Sequence, residues 1–183
     1  GAYGTIVLGS IPAKQKTPSA VILVPTRELA SQVVDELNKL SKYSGHVSIP
    51  IYGGASIEKQ IKELNKGCDI VAGTTGRVRD MISRGVLNVS AITTLVLDEA
   101  DRMLDMGFEE DIKFILGKMP KERHTMLFSA TMQENVKQLA FDYMNNPKEI
   151  SVSKDEVVLD LTKQYYISVG RRNKSWALCR IID

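Results

Sequence analysis

Residues 94–101 have the sequence Thr94-Leu95-Val96-Leu97-Asp98-Glu99-Ala100-Asp101. The apolar residues at 95–97 predict a strand that is buried on both faces of a parallel sheet. Ligands of open α/β sheets collect at the carboxyl ends of such strands, where Asp98 and Glu99 lie. A hydrated Mg²⁺ is normally held by one or two carboxylates plus substrate phosphates, so these adjacent carboxylates are candidates for holding it, and the neighbouring one is then free to orient a water. Alternatively, the acidic residues only complement the dipole of a following helix.

Short apolar runs alternate with amphipathic stretches, which predicts an α/β sandwich of three layers with a mostly parallel central sheet. The predicted strands are residues 21–24, 47–52, 69–72, 93–97, 125–128 and 149–152. A first helix is predicted near the start of the chain, and others over residues 27–40, 57–65, 77–84, 109–119 and 133–145.

The last 31 residues have a different pattern. Residues 153–163 are mostly polar and acidic, which predicts a linker between residues 1–152 and a second domain. Residues 164–183 are expected to begin that domain, with a strand over 164–169 and a helix over 174–182. One strand and one helix cannot form a core alone.

Composition limits the possible partners. The 183 residues carry 24 basic and 22 acidic side chains, a net charge of +2, so a nucleic-acid surface would have to be local. Cys68 and Cys179 match neither a metal spacing nor a disulfide framework, which predicts a reducing, intracellular setting, cytoplasmic or nuclear. No apolar run approaches the length of a membrane span, so no membrane partner is expected.

Three strand ends combine small residues, glycines and arginines. Thr26, in Pro25-Thr26-Arg27, can cap the next helix, but capping does not explain Arg27, whose guanidinium suits a phosphodiester. Gly53-Gly54 permits a close backbone approach or forms a simple turn. The segment Thr74-Thr75-Gly76-Arg77 repeats the arrangement. Together they predict a track for a sugar-phosphate backbone that does not read base sequence and does not by itself distinguish RNA from DNA.

Hydroxyl side chains follow the strand predicted over residues 125–128. Thr131 and Glu134 match the capping-box pattern, so Thr131 is expected to cap a helix on that interpretation. Ser129 lies outside the box. The second interpretation is that these hydroxyls hydrogen-bond Asp101 and link a nucleotide site to a movable part.

In this order, the segments resemble the DEAD-box RNA helicases. The resemblance rests on Pro25 to Ala30, Gly53-Gly54, Thr74 to Arg77, Asp98-Glu99-Ala100-Asp101, Ser129-Ala130-Thr131 and the flanking Arg102 to Phe108. It implies that residues 1–152 are the first of two RecA-like domains. It also implies ATP-dependent opening of short RNA duplexes, or remodelling of RNA–protein complexes, with ATP and Mg²⁺ as cofactors and accessory proteins as possible partners.

The resemblance also implies residue roles. Asp98 would hold Mg²⁺ through water, Glu99 would position or activate the attacking water, and Asp101 would contact Ser129 and Thr131. One RNA strand would be held through its backbone by Pro25, Thr26, Arg27, Gly53, Gly54, Thr74, Gly76 and Arg77.

The sequence departs from the family at several places. The Gly-rich phosphate-binding loop ending in Lys-Thr and the adenine-reading segment are expected upstream of Gly1, and the second domain's arginines are absent. Thr75 stands where the family usually has proline. We therefore expect the parent protein to be an RNA-dependent ATPase and these 183 residues alone to hydrolyse ATP poorly. Two alternatives stay open: an ATP-independent RNA-binding or protein-interaction module, and a DNA-directed helicase.

Overall fold

A computed structural model of the chain describes residues 3–151 and 165–182. The chain divides into two compact units, residues 1–147 and residues 148–183. The predicted linker, residues 153–163, lies outside the described residues.

The first unit is built on a parallel sheet with the strand order β2-β3-β1-β4-β5. The strands are β1 Ala20–Val24, β2 Ser48–Ile51, β3 Ile70–Thr74, β4 Thr94–Leu97 and β5 His124–Leu127. Strand β1 pairs with β3 along one edge and with β4 along the other, and its five residues are all buried. The prediction of a parallel sheet is therefore confirmed, and the first strand in sequence lies at its centre.

Helices cover both faces of this sheet, which confirms the three-layer α/β prediction. They are α1 Gly4–Ser10, α2 Arg27–Leu40, α3 Ile57–Lys66, α4 Thr75–Ser83, α5 Ala100–Asp105, α6 Glu109–Lys118 and α7 Glu134–Tyr143. Alternate residues of β1 face opposite cores. Ile22 packs in the cluster formed with α1 and α2, and Leu23 packs in the cluster formed with the helices of the other face. The two cores together hold every strand in a fixed register.

Most predicted boundaries agree with the structure to within a few residues, but three expectations were wrong or incomplete. Helix α4 begins at Thr75 rather than Arg77, and α5 is a separate helix that periodicity did not mark. Residues 149–151 are exposed and form no strand; Val152 lies outside the described residues. An extended apolar segment becomes a strand only where a neighbour pairs with it.

The second unit contains less regular structure than predicted. Residues 165–169 form no strand, whereas Gln164 lies outside the described residues. The predicted helix over 174–182 is present as α8, Lys174–Ile182, and a 3₁₀ turn over Arg171–Asn173 precedes it. Its large apolar side chains, among them Trp176 and Leu178, are exposed.

No helix within residues 3–151 and 165–182 combines the length and apolarity that crossing a bilayer requires.

Asp69 connects chain segments at the amino ends of the strands. The residue is fully buried, and its two carboxylate oxygens accept hydrogen bonds from the backbone N–H groups of Gln15 at 2.6 Å and Val47 at 2.7 Å. Its own carbonyl accepts from Ser19 and Ala20, at the start of β1. One side chain thus joins the segments that lead into β1 and β2.

We expect Asp69→Ala to lower the free energy of unfolding by at least about 2 kcal/mol, because two hydrogen bonds to a charged acceptor are lost. Asp69→Asn should lose less, since one acceptor oxygen remains. Urea unfolding measures both values. Asp80→Ala is the control, because Asp80 pairs only with exposed Arg84 and such pairs contribute less than about 1 kcal/mol. Equal losses for Asp69→Ala and Asp80→Ala would contradict the assignment.

Candidate functional site

The candidate site lies at the carboxyl ends of the parallel strands, which we call the carboxyl edge of the sheet, and divides into two halves. The ends of β2, β3 and β1 are neighbours, and they carry the glycine and arginine segments. The ends of β4 and β5 carry the acidic and hydroxyl segments, and we call this part of the site the acidic half. Because β1 lies between β3 and β4, the segment containing Arg27 is the part of the first half that adjoins the second.

The junction of β1 and β4 is a topological switch point. From β1 the chain crosses through α2 to β2 on one side of the sheet, whereas from β4 it continues to β5 on the other side. Such a reversal opens a crevice at the carboxyl ends, which is where open α/β sheets bind ligands. Asp98 lies at this crevice, and its N–H donates to the carbonyl of Leu23 in β1 at 3.0 Å.

The carboxylate of Asp98 is held at both oxygens. Oδ1 accepts from the backbone N–H of Glu99 at 3.0 Å, and Oδ2 accepts from the hydroxyl of Tyr3 at 2.7 Å. Burial, followed by the hydrogen bond to Asp98, raises the pKa of Tyr3 far above its usual value, so the phenol stays protonated as a donor. The side chain of Asp98 is therefore fixed before any ligand arrives.

Glu99 has an unusual backbone conformation. Its φ of 52° and ψ of 50° lie in the left-handed region, which non-glycine residues seldom adopt. It is the N-cap of α5 but makes no side-chain capping bond, and its Oε2 contacts Nη1 of Arg102 at 3.1 Å. Strained residues of this kind cluster at functional sites. The interpretation of residues 98–101 as only a helix start therefore leaves the conformation of Glu99 unexplained.

Asp101 joins the acidic end of β4 to the segment after β5. Its Oδ2 accepts from both the backbone N–H and the hydroxyl of Thr131, each at 2.9 Å. Its backbone N–H donates to Oγ of Ser129 at 3.3 Å. Burial alone would raise the pKa of Asp101, but the hydrogen bonds from Thr131 and from the backbone of Arg102 outweigh it, and the pKa lies below its usual value.

The capping-box interpretation of Thr131 was wrong. Helix α7 begins at Glu134, its N-cap is Gln133, and no side chain caps it. The hydroxyl of Thr131 is used by Asp101 instead. The proposed contact between Asp101 and these hydroxyls is present, although Ser129 meets the backbone of Asp101 rather than its carboxylate.

The turn after β1 approaches the turn after β2. Thr26 caps α2 as predicted, with Oγ1 accepting from Leu29 N–H at 3.3 Å. Arg27 is exposed and pairs with Glu28. Gly54 has a φ of +79°, and a side-chain carbon built on it would lie 3.8 Å from Nη1 of Arg27. The guanidinium of Arg27 therefore lies close to the backbone of Gly54.

The turn after β3 joins the same surface. Both terminal nitrogens of Arg77 donate to the carbonyl of Ala55, at 3.3 Å each. Gly73 lies just below, and a side-chain carbon there would come within 2.6 Å of the carbonyl oxygen of Ile51. Only glycine allows β2 and β3 to end this close together. Arg27, Gly54, Ala55 and Arg77 thus form one continuous surface, the arginine surface.

The remaining predicted contact residues contribute differently. Pro25 is buried, so its side chain shapes the turn and is not available to a ligand. Gly53 and Gly76 are exposed. Thr74 is the N-cap of α4 without a side-chain capping bond. Thr75 is buried, and its hydroxyl has no hydrogen-bond partner among the residues that the structure describes. Because Thr75 is the first residue of α4, the proline usual in the family would also fit there.

The acidic half fits a hydrated magnesium ion that is held jointly with phosphates. Asp98 and Glu99 offer hard oxygen ligands. Among the residues that the structure describes, no group of three or more His, Cys, Asp or Glu side chains could hold a metal ion alone. Mg²⁺ commonly keeps several waters and uses one or two carboxylates plus phosphates, so this donor set suits it.

Comparison with known proteins identifies the family. The sequence model of the DEAD/DEAH box helicase family matches residues 2–139, about three quarters of the chain. This chain belongs to the DEAD/DEAH box helicase family. The resemblance read from the ordered motifs is confirmed.

Curated relatives within the DEAD/DEAH box family include bacterial enzymes. The DEAD-box ATP-dependent RNA helicase CshA of Streptococcus pneumoniae is 42% identical over 182 residues, and CshA of Listeria monocytogenes is 43% identical over 183 residues. Each alignment covers 100% of this chain and 35% of the relative. The chain thus spans about a third of the length of these relatives.

Solved structures of DEAD-box proteins share the fold. A DEAD box protein from the hyperthermophile Methanococcus jannaschii matches with a TM-score of 0.80 at 37% identity, covering 99% of this chain and 48% of that one. The yeast DEAD-box splicing factor Prp28 matches with a TM-score of 0.71 at 35% identity, covering 78% of this chain and 35% of that one. The RecA-like class is therefore confirmed for the described sheet and helices.

Sequence reasoning missed three contributors to the site of this helicase-family chain. Tyr3 was treated as one apolar residue of the first helix, and no local pattern could pair it with Asp98, 95 positions away. Ala55 acts through its carbonyl, which has no sequence signature. Arg102 could have been found, because residues three apart on a helix are neighbours and Glu99 precedes it by three.

Thr131→Val removes the hydroxyl that donates to Asp101 but keeps the side-chain size. We expect the pKa of Asp101 to rise toward its usual value. A carboxyl with a lowered pKa stabilises the fold above its unfolded-state pKa, about 3.9, and this contribution is lost as pH falls through the folded pKa. The variant's deficit in unfolding free energy is therefore full at neutral pH and shrinks below about pH 4. Carbon-13 NMR titration and urea unfolding measure these two effects.

Ser129→Ala is the matched control for Thr131→Val. The Ser129 hydroxyl accepts the backbone N–H of Asp101 rather than donating to its carboxylate, so its removal should change the pKa of Asp101 less. An unchanged Asp101 pKa in Thr131→Val, or a stability deficit that grows as the pH falls, would show that the contact is not energetically coupled.

Proposed function

We propose that the protein carrying this chain is an RNA-dependent ATPase that uses ATP hydrolysis to open short RNA duplexes or remodel RNA–protein complexes. The observation that carries the proposal is the pair of hydrogen bonds from Thr131 to Asp101. They connect the acidic end of β4 to the segment after β5, on the same sheet edge as the arginine surface. The names of the CshA relatives, which are ATP-dependent RNA helicases, support it.

The acidic half supplies the groups for nucleotide hydrolysis. When bound with ATP, Mg²⁺ would neutralise charge on the phosphates. Asp98 presents a fixed carboxylate to the hydrated ion, and Glu99 orients a water for attack. Asp101 accepts two hydrogen bonds from Thr131 and thereby connects the end of β4 to the segment after β5. Phosphoryl transfer depends mainly on positioning and electrostatics, so fixed side chains are what the reaction requires of the protein.

The arginine surface supplies the RNA contacts. The guanidiniums of Arg27 and Arg77 lie beside a glycine with left-handed backbone and beside the helix starts of α2 and α4. Guanidiniums and free N–H groups at helix N-termini bind phosphates. Such contacts position a backbone without reading bases, which suits an enzyme that acts on many sequences. Recognition of RNA over DNA requires contacts to 2′-hydroxyls.

Glu99→Gln in the full-length protein is expected to lower RNA-stimulated phosphate release by about 100-fold or more, because a neutral amide orients and activates water poorly. Binding of single-stranded RNA should persist, since Glu99 lies outside the arginine surface. A phosphate-release assay with matched RNA and DNA oligonucleotides measures both the variant's defect and the choice of nucleic acid.

Glu122→Gln is the control for Glu99→Gln, because Glu122 is exposed and lies before β5, at the opposite edge of the sheet. Turnover unchanged by Glu99→Gln would refute the hydrolytic role. Stimulation by DNA as strong as by RNA would favour the DNA-directed alternative. RNA binding without any stimulated phosphate release in the unaltered protein would favour an ATP-independent clamp.

Arg77→Ala is expected to weaken binding of single-stranded RNA about equally for all sequences. Loss of one phosphate contact should reduce the slope of log affinity against log salt by about 0.7. Arg84→Ala is the matched control, because it removes the same charge from the other end of α4, where Arg84 pairs with Asp80. Fluorescence anisotropy over a salt series measures both slopes. Identical slopes for the two variants would exclude Arg77 from the RNA interface.

A further inference from the structure

We propose that Tyr3 is a positioning residue for the acidic half, holding the Asp98 carboxylate in the one orientation that receives the hydrated magnesium ion. The hydroxyl of Tyr3 donates to Oδ2 of Asp98 at 2.7 Å. This inference rests on the proposed function, because it assigns a task to a residue beside the proposed magnesium site.

The hydrogen bond removes the rotational freedom of the carboxylate. Oδ1 of Asp98 is already engaged by the N–H of Glu99, so the hydroxyl of Tyr3 fixes the second oxygen. Each oxygen keeps acceptor capacity for a ligand, since a carboxylate oxygen accepts more than one hydrogen bond. A carboxylate that is orientated in advance loses less conformational freedom when a ligand binds.

Tyr3 is itself held rigidly. Only 6% of its surface is exposed, and its carbonyl accepts the N–H of Val7 in the first turn of α1. Its ring packs against Phe128, with centroids 5.2 Å apart. The backbone of Phe128 bonds to Leu97 and Ala100, on either side of the two catalytic candidates. The phenol is thus aligned with both strand ends that build the acidic half.

A purely structural role makes a different prediction from a positioning role. If the hydroxyl only satisfies a buried hydrogen bond, its loss changes stability and affects nucleotide binding with and without metal alike. If it orients Asp98 for the ion, its loss affects only the part of nucleotide binding that depends on magnesium. Groups that orient metal ligands typically contribute tenfold or more to metal affinity.

The test compares Tyr3→Phe with the unaltered full-length protein in binding a fluorescent ADP analogue, with and without Mg²⁺. Tyr3→Phe keeps the ring that packs on Phe128 and removes only the hydroxyl. We expect metal-free affinity to change less than about twofold and the strengthening by Mg²⁺ to fall about tenfold. Electron paramagnetic resonance of Mn²⁺ with ADP gives a second readout that needs no turnover and should show the same loss of metal affinity.

Two further variants complete the design. Tyr143→Phe is the matched control, because Tyr143 is a half-buried tyrosine on α7 that packs against the other core cluster. It should leave both affinities unchanged. In an Asp98→Asn background Tyr3→Phe should have no further effect on metal binding, since the two residues act as one unit.

Each outcome bears on one of the two proposals. A full magnesium effect in Tyr3→Phe, or equal weakening with and without metal, overturns the role of Tyr3 and leaves the proposed function standing. Absence of any magnesium effect in the unaltered protein overturns both. Should Tyr3→Phe unfold, the contribution of its hydroxyl is structural and the inference fails.

Discussion

The burial of β1 on both faces and along both edges is the constraint on which the arrangement depends. A strand with no exposed side chain and a parallel partner on each side cannot shift its register without breaking the hydrogen-bond ladders on both sides and changing the packing in both cores. The turn that follows β1 is therefore fixed between the turn after β3 and the acidic end of β4. The two halves of the site are neighbours because β1 is paired with both β3 and β4.

The same strand gives the two halves a physical connection. Asp98 donates its N–H to Leu23, only a few residues before the turn that carries Arg27. On the far side, Asp101 and Thr131 join β4 to the segment after β5. Hydrogen bonds thus connect β1 to β4 through the backbone of Asp98, and the end of β4 to the segment after β5 through short side chains. The long side chains of Arg27 and Arg77 lie on the surface that would face a polymer, and the long side chain of Arg102 pairs with Glu99.

The positions of helices and strands along the chain could be predicted well from the sequence, whereas the order of the strands across the sheet could not. Apolar runs and helix periodicity located the five described strands of the first unit, because β1 to β4 are mostly or fully buried and therefore appear as short apolar runs. Strand β5 is only half-buried, but its residues 125–127 still form such a run. Their order across the sheet depends on long-range pairing, which local sequence does not encode. For the same reason, the contact between Tyr3 and Asp98 could not be predicted from local sequence. The strand expected over residues 149–152 was wrong over 149–151 because an apolar run alone cannot show whether a partner strand is present.

At Glu99, the backbone conformation and the proposed chemistry favour different residue types. A left-handed backbone at a glutamate costs about 1–2 kcal/mol that glycine would not incur. Folding alone would favour glycine at this position, whereas hydrolysis requires a carboxylate. Selection for heat resistance alone would thus favour glycine at this position and, on the proposed function, give a more stable protein without the carboxylate that hydrolysis needs.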